Sequence, residues 1–313
     1  MNMTILQAGP LTTVQDRGRF GYMEYGITSS GVMDTLAYTQ LVSLLENEPD
    51  AAVLEMTLMG AELVFDEDVC AAYTGADMQA VYDGRIPVER GHVYRIEKGH
   101  RLRFGMAKSG VRAYFAIAGT IEVPSVMGSR STNLKCGLGG FAGRKLQNGD
   151  ALPIRVRELS EAEQKRLLSK MISQPDYERE KTVRVILGPQ KEMFAEEGVR
   201  TFLESPYTVS VESDRMGIRL EGEKVLAEGN TDIISDGIVS GSVQITTAGL
   251  PIIMMADHQT TGGYAKIATV IQEDLPILAQ ARSGDRIRFS QADLKKLQKH
   301  SPGGFLKKLC GGR

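Results

Sequence analysis

The chain contains no tryptophan, only four histidines and only three cysteines, and each scarcity narrows what it can be. Cys70, Cys136 and Cys310 are far apart, odd in number and not arranged as C-x-x-C, so no disulfide framework is expected. A reducing compartment, the cytoplasm, fits them, with the thiols as inert packing residues and Cys310 exposed on the tail. His92, His100, His258 and His300 show no metal-ligand spacing, and no H-E-x-x-H occurs. Neither sign of charge dominates: Lys plus Arg number 37 and Asp plus Glu 39, a net charge of −2, so the electrostatic footprint of a nucleic-acid binder is missing. No apolar run reaches the ~18 residues of a membrane span. The opening MNMTILQAGP lacks a basic segment followed by an apolar one, so no secretory leader is expected. Also absent are G-x-x-x-x-G-K-[ST] for nucleoside triphosphates and G-x-S-x-G for a nucleophilic serine. GLGGFA, residues 137–142, formally fits G-x-G-x-x-A. It has no strand before it and no helix after it, so it reads as a flexible loop rather than a dinucleotide site.

What is present is ordinary globular composition, 42% hydrophobic and 24% charged over 313 residues, with 34 glycines that fall between short apolar runs. The length suits about two domains. Two stretches run in parallel. Each has a Gly-Pro (Gly9-Pro10; Gly188-Pro189) and then an Asp-Arg followed by glycine (Asp16-Arg17-Gly18; Asp214-Arg215, Gly217). A glycine next leads an apolar strand (Gly60; Gly249), and G-x-R-x-R-F closes the unit (Gly99 to Phe104; Gly284 to Phe289). Four matches in register indicate a duplicated unit over roughly 4–105 and 183–290. Runs such as RAYFAIA, TVRVILG and GSVQITT read as strands. Helix is expected in DTLAYTQLVSLLENEP, with a buried face from Leu36, Leu41, Leu44 and Leu45, in TVIQEDLPILAQA, in the tail SQADLKKLQKH, and in a charged linker in which Ser160 and Glu163 form a capping box. The expected fold is mainly β: two β-barrel-like units, each with associated helices, from an internal duplication. The divisions are 1–155, a linker helix 156–182, 183–290, and a basic helical tail 291–313.

Three segments are candidates for chemistry. In QDRGRFGY, Arg17 and Arg19 could grip a carboxylate bidentately, or Asp16 could pair with an arginine and brace a turn. In GSRSTN, Arg130, Ser131, Thr132 and Asn133 suit an anion, or else the serines cap their own turn. In DHQTTGGY, residues 257–264, Gln259, Thr260, Thr261 and Tyr264 surround the pair Gly262-Gly263. That set suits a small planar amide or ureido ligand, and the bland alternative is a polar hairpin turning at the glycines.

AGPLTTVQDRGRFGY, SSGVMD, AVLEMTLMGAEL, YTGAD, GSRST, SDRMGIRL and ADHQTTGGYAKIATVI together resemble the carboxyltransferase A/B subdomain family, also called allophanate hydrolase subunit 2, over about residues 1–290. The resemblance implies a pair of cyclophilin-like β-barrels. Stand-alone bacterial members include the C component of the ATP-dependent 5-oxoprolinase, which opens 5-oxo-L-proline to L-glutamate together with A and B subunits, and an antagonist of a histidine-kinase inhibitor. A related domain passes carboxylate from carboxybiotin to urea. The implied activity is therefore hydrolysis of a cyclic amide within a complex, with ATP on a partner and the B-type subunit as the direct neighbour. The alternatives are a biotin-dependent carboxyltransferase half and a non-enzymatic regulator. Under this reading Arg17 or Arg130 holds the substrate carboxylate, Gln259 and Thr260 the ring amide, and Asp257 orients or moves a proton. Ser131, Thr132, Thr261, Gly262, Gly263 and Tyr264 complete the binding surface. His258 is not assigned as a base.

Overall fold

The computed structural model describes residues 1–293 and Lys295, so most of the expected tail, with His300 and Cys310, lies outside the described residues. The chain is mainly β, as expected. Its first unit is two antiparallel sheets packed face to face. One runs in the order Gly119–Ile121, Ala151–Val156, Asn2–Gln7, Glu62–Phe65, Arg101–Arg103, Ala80–Tyr82 and Ile86–Val88. The other runs Leu11–Gln15, Val53–Thr57, Ser109–Ile117, Val69–Asp77 and Val93–Ile96. Outer strands such as Asn2–Gln7 and Ala151–Val156 alternate buried and exposed residues, the period of a sheet wet on one face. Ser109–Ile117 and Val69–Asp77 are buried almost throughout, because both faces of their sheet are covered. On one side Phe65, Tyr73, Phe104 and Phe115 fill the space between the sheets. On the other lies the helix Thr35–Leu44, packing Tyr38, Leu41 and Leu45 over Cys70, Ala72 and Tyr114. Asp34 caps this helix, accepting from the Ala37 amide at 2.9 Å. Leu36 departs from expectation: it is 53% exposed, at the rim of a cavity described below.

The second unit closes into a seven-stranded barrel. Its order is Glu180–Leu187, Lys266–Val270, Ser242–Ile245, Pro251–Met254, Gly217–Glu221, Tyr207–Val209 and Arg286–Gln291. The last strand returns parallel to the first, Glu180 opposite Arg286 through Val185 opposite Gln291. Helix Glu196–Glu204 plugs the core with Phe202, stacked on Phe289 at 4.3 Å. In both units the closing strand follows a glycine with positive φ, +78° at Gly99 and +84° at Gly284, which is the turn the repeat conserves in conformation. The connection between units contains the helix Glu161–Leu168, and the capping box is formed on both sides: Ser160 Oγ accepts from the Glu163 amide and Glu163 Oε2 from the Ser160 amide. The helix is shorter than the segment expected for it, since only Leu167 among its residues is buried. TVIQEDLPILAQA divides: Thr269 and Val270 finish a strand, and Leu275–Ala279 is the helix, with proline in its first turn. Cys70 is buried as expected. Cys136 is exposed, not a packing residue.

Candidate functional site

The two Asp-Arg turns of the repeat have exchanged roles. In the first, Asp16 is buried and its carboxylate accepts from Ser129 Oγ (2.7 Å), Ser131 Oγ (2.5 Å) and the amides of Gly18 (2.8 Å) and Arg130 (2.5 Å). Two segments more than a hundred residues apart are thereby one piece of structure. The ion pair considered between Asp16 and an arginine is not formed; donors from the 129–131 loop occupy the carboxylate instead. The same bonding corrects Ser131 and Thr132. Both are fully buried, and Thr132 Oγ1 donates to Val14 O at 2.9 Å, so these hydroxyls build the loop rather than face a ligand. Arg17 is exposed and Arg130 half-buried, and neither side chain has an ion pair among the described residues.

In the second copy the aspartate is outside and the arginine inside. Asp214 is exposed and caps its turn through the amides of Met216 and Gly217. Arg215 is buried; Nε and Nη2 meet Asp257 at 2.8 and 3.2 Å, Nη1 pairs with Glu55, and Nη2 also donates to Gly31 O at 2.6 Å. Glu55 and Gly31 belong to the first unit, Arg215 and Asp257 to the second, so this buried cluster is a bolt between them. Burial alone would lower the Arg215 pKa, but the Glu55 and Asp257 carboxylates outweigh it and raise it, keeping the guanidinium charged. Glu55 Oε2 also accepts from the Met33 amide and the Tyr114 hydroxyl, both at 2.8 Å. Burial, reinforced by Glu55, pushes that phenol well above its ordinary pKa. The Tyr114 hydroxyl accepts from the Asp34 amide at 2.8 Å, and the Asp34 carboxylate accepts from Gln280 Nε2 at 2.8 Å, extending the network along the interface. With both oxygens of Asp257 in the fork of Arg215, orientation is the role its geometry supports; proton transfer requires leaving the fork. His258 is buried, with Nδ1 2.7 Å from Gln259 O, and desolvation lowers its pKa, which favours the neutral ring.

Gly262 and Gly263 do not turn a hairpin. Thr261–Tyr264 is a strand in a two-stranded ribbon with Asp232–Gly237, Gly262 lying opposite Asp236. A Cβ on Gly262 would lie 2.6 Å from Ile238 Cδ1, 2.9 Å from Gln244 Nε2 and 3.4 Å from Gln259 Nε2. Glycine is thus needed for close packing, and it brings two amide side chains together. Gln244 is a residue the sequence reading missed: it is buried, Nε2 donates to Tyr264 O at 3.1 Å, and Oε1 has no partner among the described residues. Nothing in its setting, an alternating strand, marks it beforehand.

Between the units lies a cleft of about 750 Å³, within the range of ligand sites. Arg17, Phe20, Ser30 and Met33 line one side, and Met255, Ala256, Thr269 and Gln272 line the other. It continues past Thr35, Leu36 and Thr39. Of the expected residues Arg17 lines it. Residues 257–264 do not: past Ala256, Asp257 and His258 are buried, and the segment then runs out into the two-stranded ribbon, where Thr261 and Tyr264 are exposed. The walls are more apolar than expected, and Phe20, 70% exposed beside Arg17, is the side chain that could have signalled this. No cluster of His, Cys, Asp and Glu suited to a metal occurs among the described residues, and no helix there is long and apolar enough to cross a membrane.

This pair of β units joined across a cleft defines a carboxyltransferase-type domain, and the comparisons agree. Residues 25–291 match the family model of the carboxyltransferase domain, subdomain A and B; the chain belongs to that family. It is 37% identical to the protein of Escherichia coli named as the C subunit of 5-oxoprolinase, over 95% of this chain and 93% of that one, and 35% identical to the Haemophilus influenzae protein of the same name. It is 30% identical to the urea amidolyase of Lachancea kluyveri over 91% of this chain but 16% of that protein. Among solved structures it is similar to TTHA0988 (TM-score 0.83, 30% identity, 92% of this chain) and to the Kluyveromyces lactis urea carboxylase (TM-score 0.84, 27% identity, 95% of this chain). It spans about half of the former, 55%, and 28% of the latter.

Proposed function

We propose that this chain is the C component of a cytoplasmic ATP-dependent 5-oxoprolinase and works with separate A and B subunits, the B-type subunit lying against its barrels. The observation that supports this is the 37% identity to a protein of that name over nearly the full length of both chains. Lactam hydrolysis must overcome amide resonance. Phosphoryl transfer from ATP to the ring oxygen supplies that activation, and we place the nucleotide on a partner because this sequence has no phosphate loop. This chain then contributes position and charge. Arg17, unpaired at the cleft, takes the substrate carboxylate and Arg130 is its alternative, whereas Gln259 and Thr260 lie off the cleft wall and take no part in it. Asp257, locked to Arg215, orients the segment that carries them.

Similarity to urea amidolyase and urea carboxylase favours a second reading, transfer of carboxylate from carboxybiotin to a urea-like acceptor. The test is glutamate release from 5-oxoproline and ATP by the three co-purified subunits, with parallel reactions given carboxybiotin and urea. Arg17→Gln should raise KM for 5-oxoproline about tenfold, the loss of a charge-assisted hydrogen bond, without changing Tm. Carboxylated urea without glutamate would establish the second reading. Neither product, with capture of a kinase-inhibitor-like partner, would make the chain a regulator.

A further inference from the structure

Arg19 is a guanidinium buried without a counter-ion. It is 1% exposed; Nε donates to Val126 O and Nη2 to Ser131 O, each at 3.0 Å, while Nη1 has no hydrogen-bond partner among the described residues. No carboxylate among those residues lies at ion-pair distance from it. Other buried cations are compensated: Lys181 holds Asp285 at 2.7 Å, Lys266 holds Asp236 at 2.6 Å, and Arg215 holds two carboxylates. Arg112 also lacks an ion pair, but it is enclosed in the interface, with Nη1 on Ala279 O and its backbone amide on Gln280. Arg19 is placed differently. Directly over it passes the glycine loop 137–143: a Cβ on Gly139 would stand 2.7 Å from Arg19 Nη2 and 2.1 Å from Ser131 O. The loop is tied to the neighbouring segment by the Gly140 amide on Arg130 O at 3.0 Å, and it begins beside the exposed Cys136. Burial lowers the Arg19 pKa, opposed by Asp16, Cys136 and Asp257 in turn, which marks what surrounds the guanidinium.

Charge makes the arrangement incomplete. The acid nearest Arg19 in its electrostatic surroundings, Asp16, already accepts four hydrogen bonds, one of them from the Arg130 backbone amide. Asp257, the other nearby acid, is in the fork of Arg215. A buried cation with neutral carbonyl partners costs several kcal/mol unless an anion completes it.

We propose that Arg19 at the floor, Arg130 at the rim and the loop around Gly139 form a subsite for the oxyanion group of a ligand, a carboxylate or a phosphoryl, on the Asp257 side of the molecule. Glycine at 139, with φ +67° and no room for a Cβ against Ser131 O, lets the loop backbone lie this close to the guanidinium. The carboxylate source, 5-oxoproline itself, rests on the function proposed above; the subsite does not.

The test uses the full chain alone, selectively labelled with ¹⁵N-arginine, titrated at constant ionic strength with inorganic phosphate and separately with 5-oxoproline. The Arg19 Nε–Hε signal should shift saturably with at least one probe. Arg19→Gln should weaken that binding at least tenfold with an unchanged or higher Tm, Arg19→Lys should weaken it less, and Arg130→Gln should weaken it several-fold. A shift with 5-oxoproline assigns a carboxylate subsite, and one with phosphate alone a phosphoryl subsite. No shift of the wild-type signal with either overturns the proposal, even if the variants fail to fold. Equal binding by folded Arg19→Gln also overturns it. Arg19-dependent binding in a chain whose assembled complex makes no glutamate would keep the subsite and remove the 5-oxoprolinase reading.

Discussion

Replacing Arg215 by methionine should cost far more than an ordinary core substitution, and in a particular way. The side chain is buried, and its removal strands Glu55 and Asp257 as two unpaired carboxylates, with Gly31 O losing its donor. Breaking a buried pair by deleting one partner costs about 3–5 kcal/mol. At a few degrees per kcal/mol for a chain of this size, Tm should fall by on the order of 10 °C. Because Glu55 and Gly31 lie in the first unit and Arg215 and Asp257 in the second, the loss should appear as uncoupling. Guanidinium denaturation followed by circular dichroism should show one transition for the wild type and two for the variant. Adding Glu55→Gln should recover part of the loss, since one stranded charge disappears, whereas Glu55→Gln alone should destabilise. A single transition in Arg215→Met, within about 1 kcal/mol of wild type, would refute the view that this cluster joins the units.

Three further outcomes are expected. Gly262→Ala should destabilise by about 1–3 kcal/mol in chemical denaturation, since the added methyl meets Ile238 and Gln244, and an unchanged midpoint would show that the ribbon yields. Ser160→Ala should lose about 1 kcal/mol through the capping box and leave ligand binding untouched; a loss of binding would show that the linker reports to the cleft. His258, whose pKa burial lowers, binds its proton less readily folded than unfolded. Stability should therefore fall as pH drops below the unfolded value of about 6.5, and His258→Gln should reduce that slope in denaturation curves between about pH 7.5 and 5.

The Gly99 and Gly284 turns show why part of the fold was readable: a positive φ before a closing strand restricts residue choice, so the repeat keeps it. The Ser160 capping box is legible for the same reason, as its partners are three residues apart. Leu36 misleads because helical spacing places it on the apolar stripe, while the cleft at the helix start leaves nothing to cover it. Gly262-Gly263 misleads because a glycine pair serves equally as a turn and as a space-saver in a strand. Asp16-Arg17 and Asp214-Arg215 are the same words with opposite meanings, since what each aspartate or arginine meets arrives from elsewhere in the chain.

Local chemistry alone fixed the β character of this protein, its duplicated plan, its capped linker helix and the polar segments worth suspecting, because strand alternation, caps and turns depend on neighbours within a few residues. Only the tertiary structure decided which arginine is buried against which acid, that Ser131 and Thr132 face inward, that Met255 and Ala256 line the cleft where Gln259 and Thr260 do not, and that Arg19 stands without a counter-ion. Those outcomes are set by contacts between residues far apart in the chain, where charge compensation and close packing exist only after both units have folded and met.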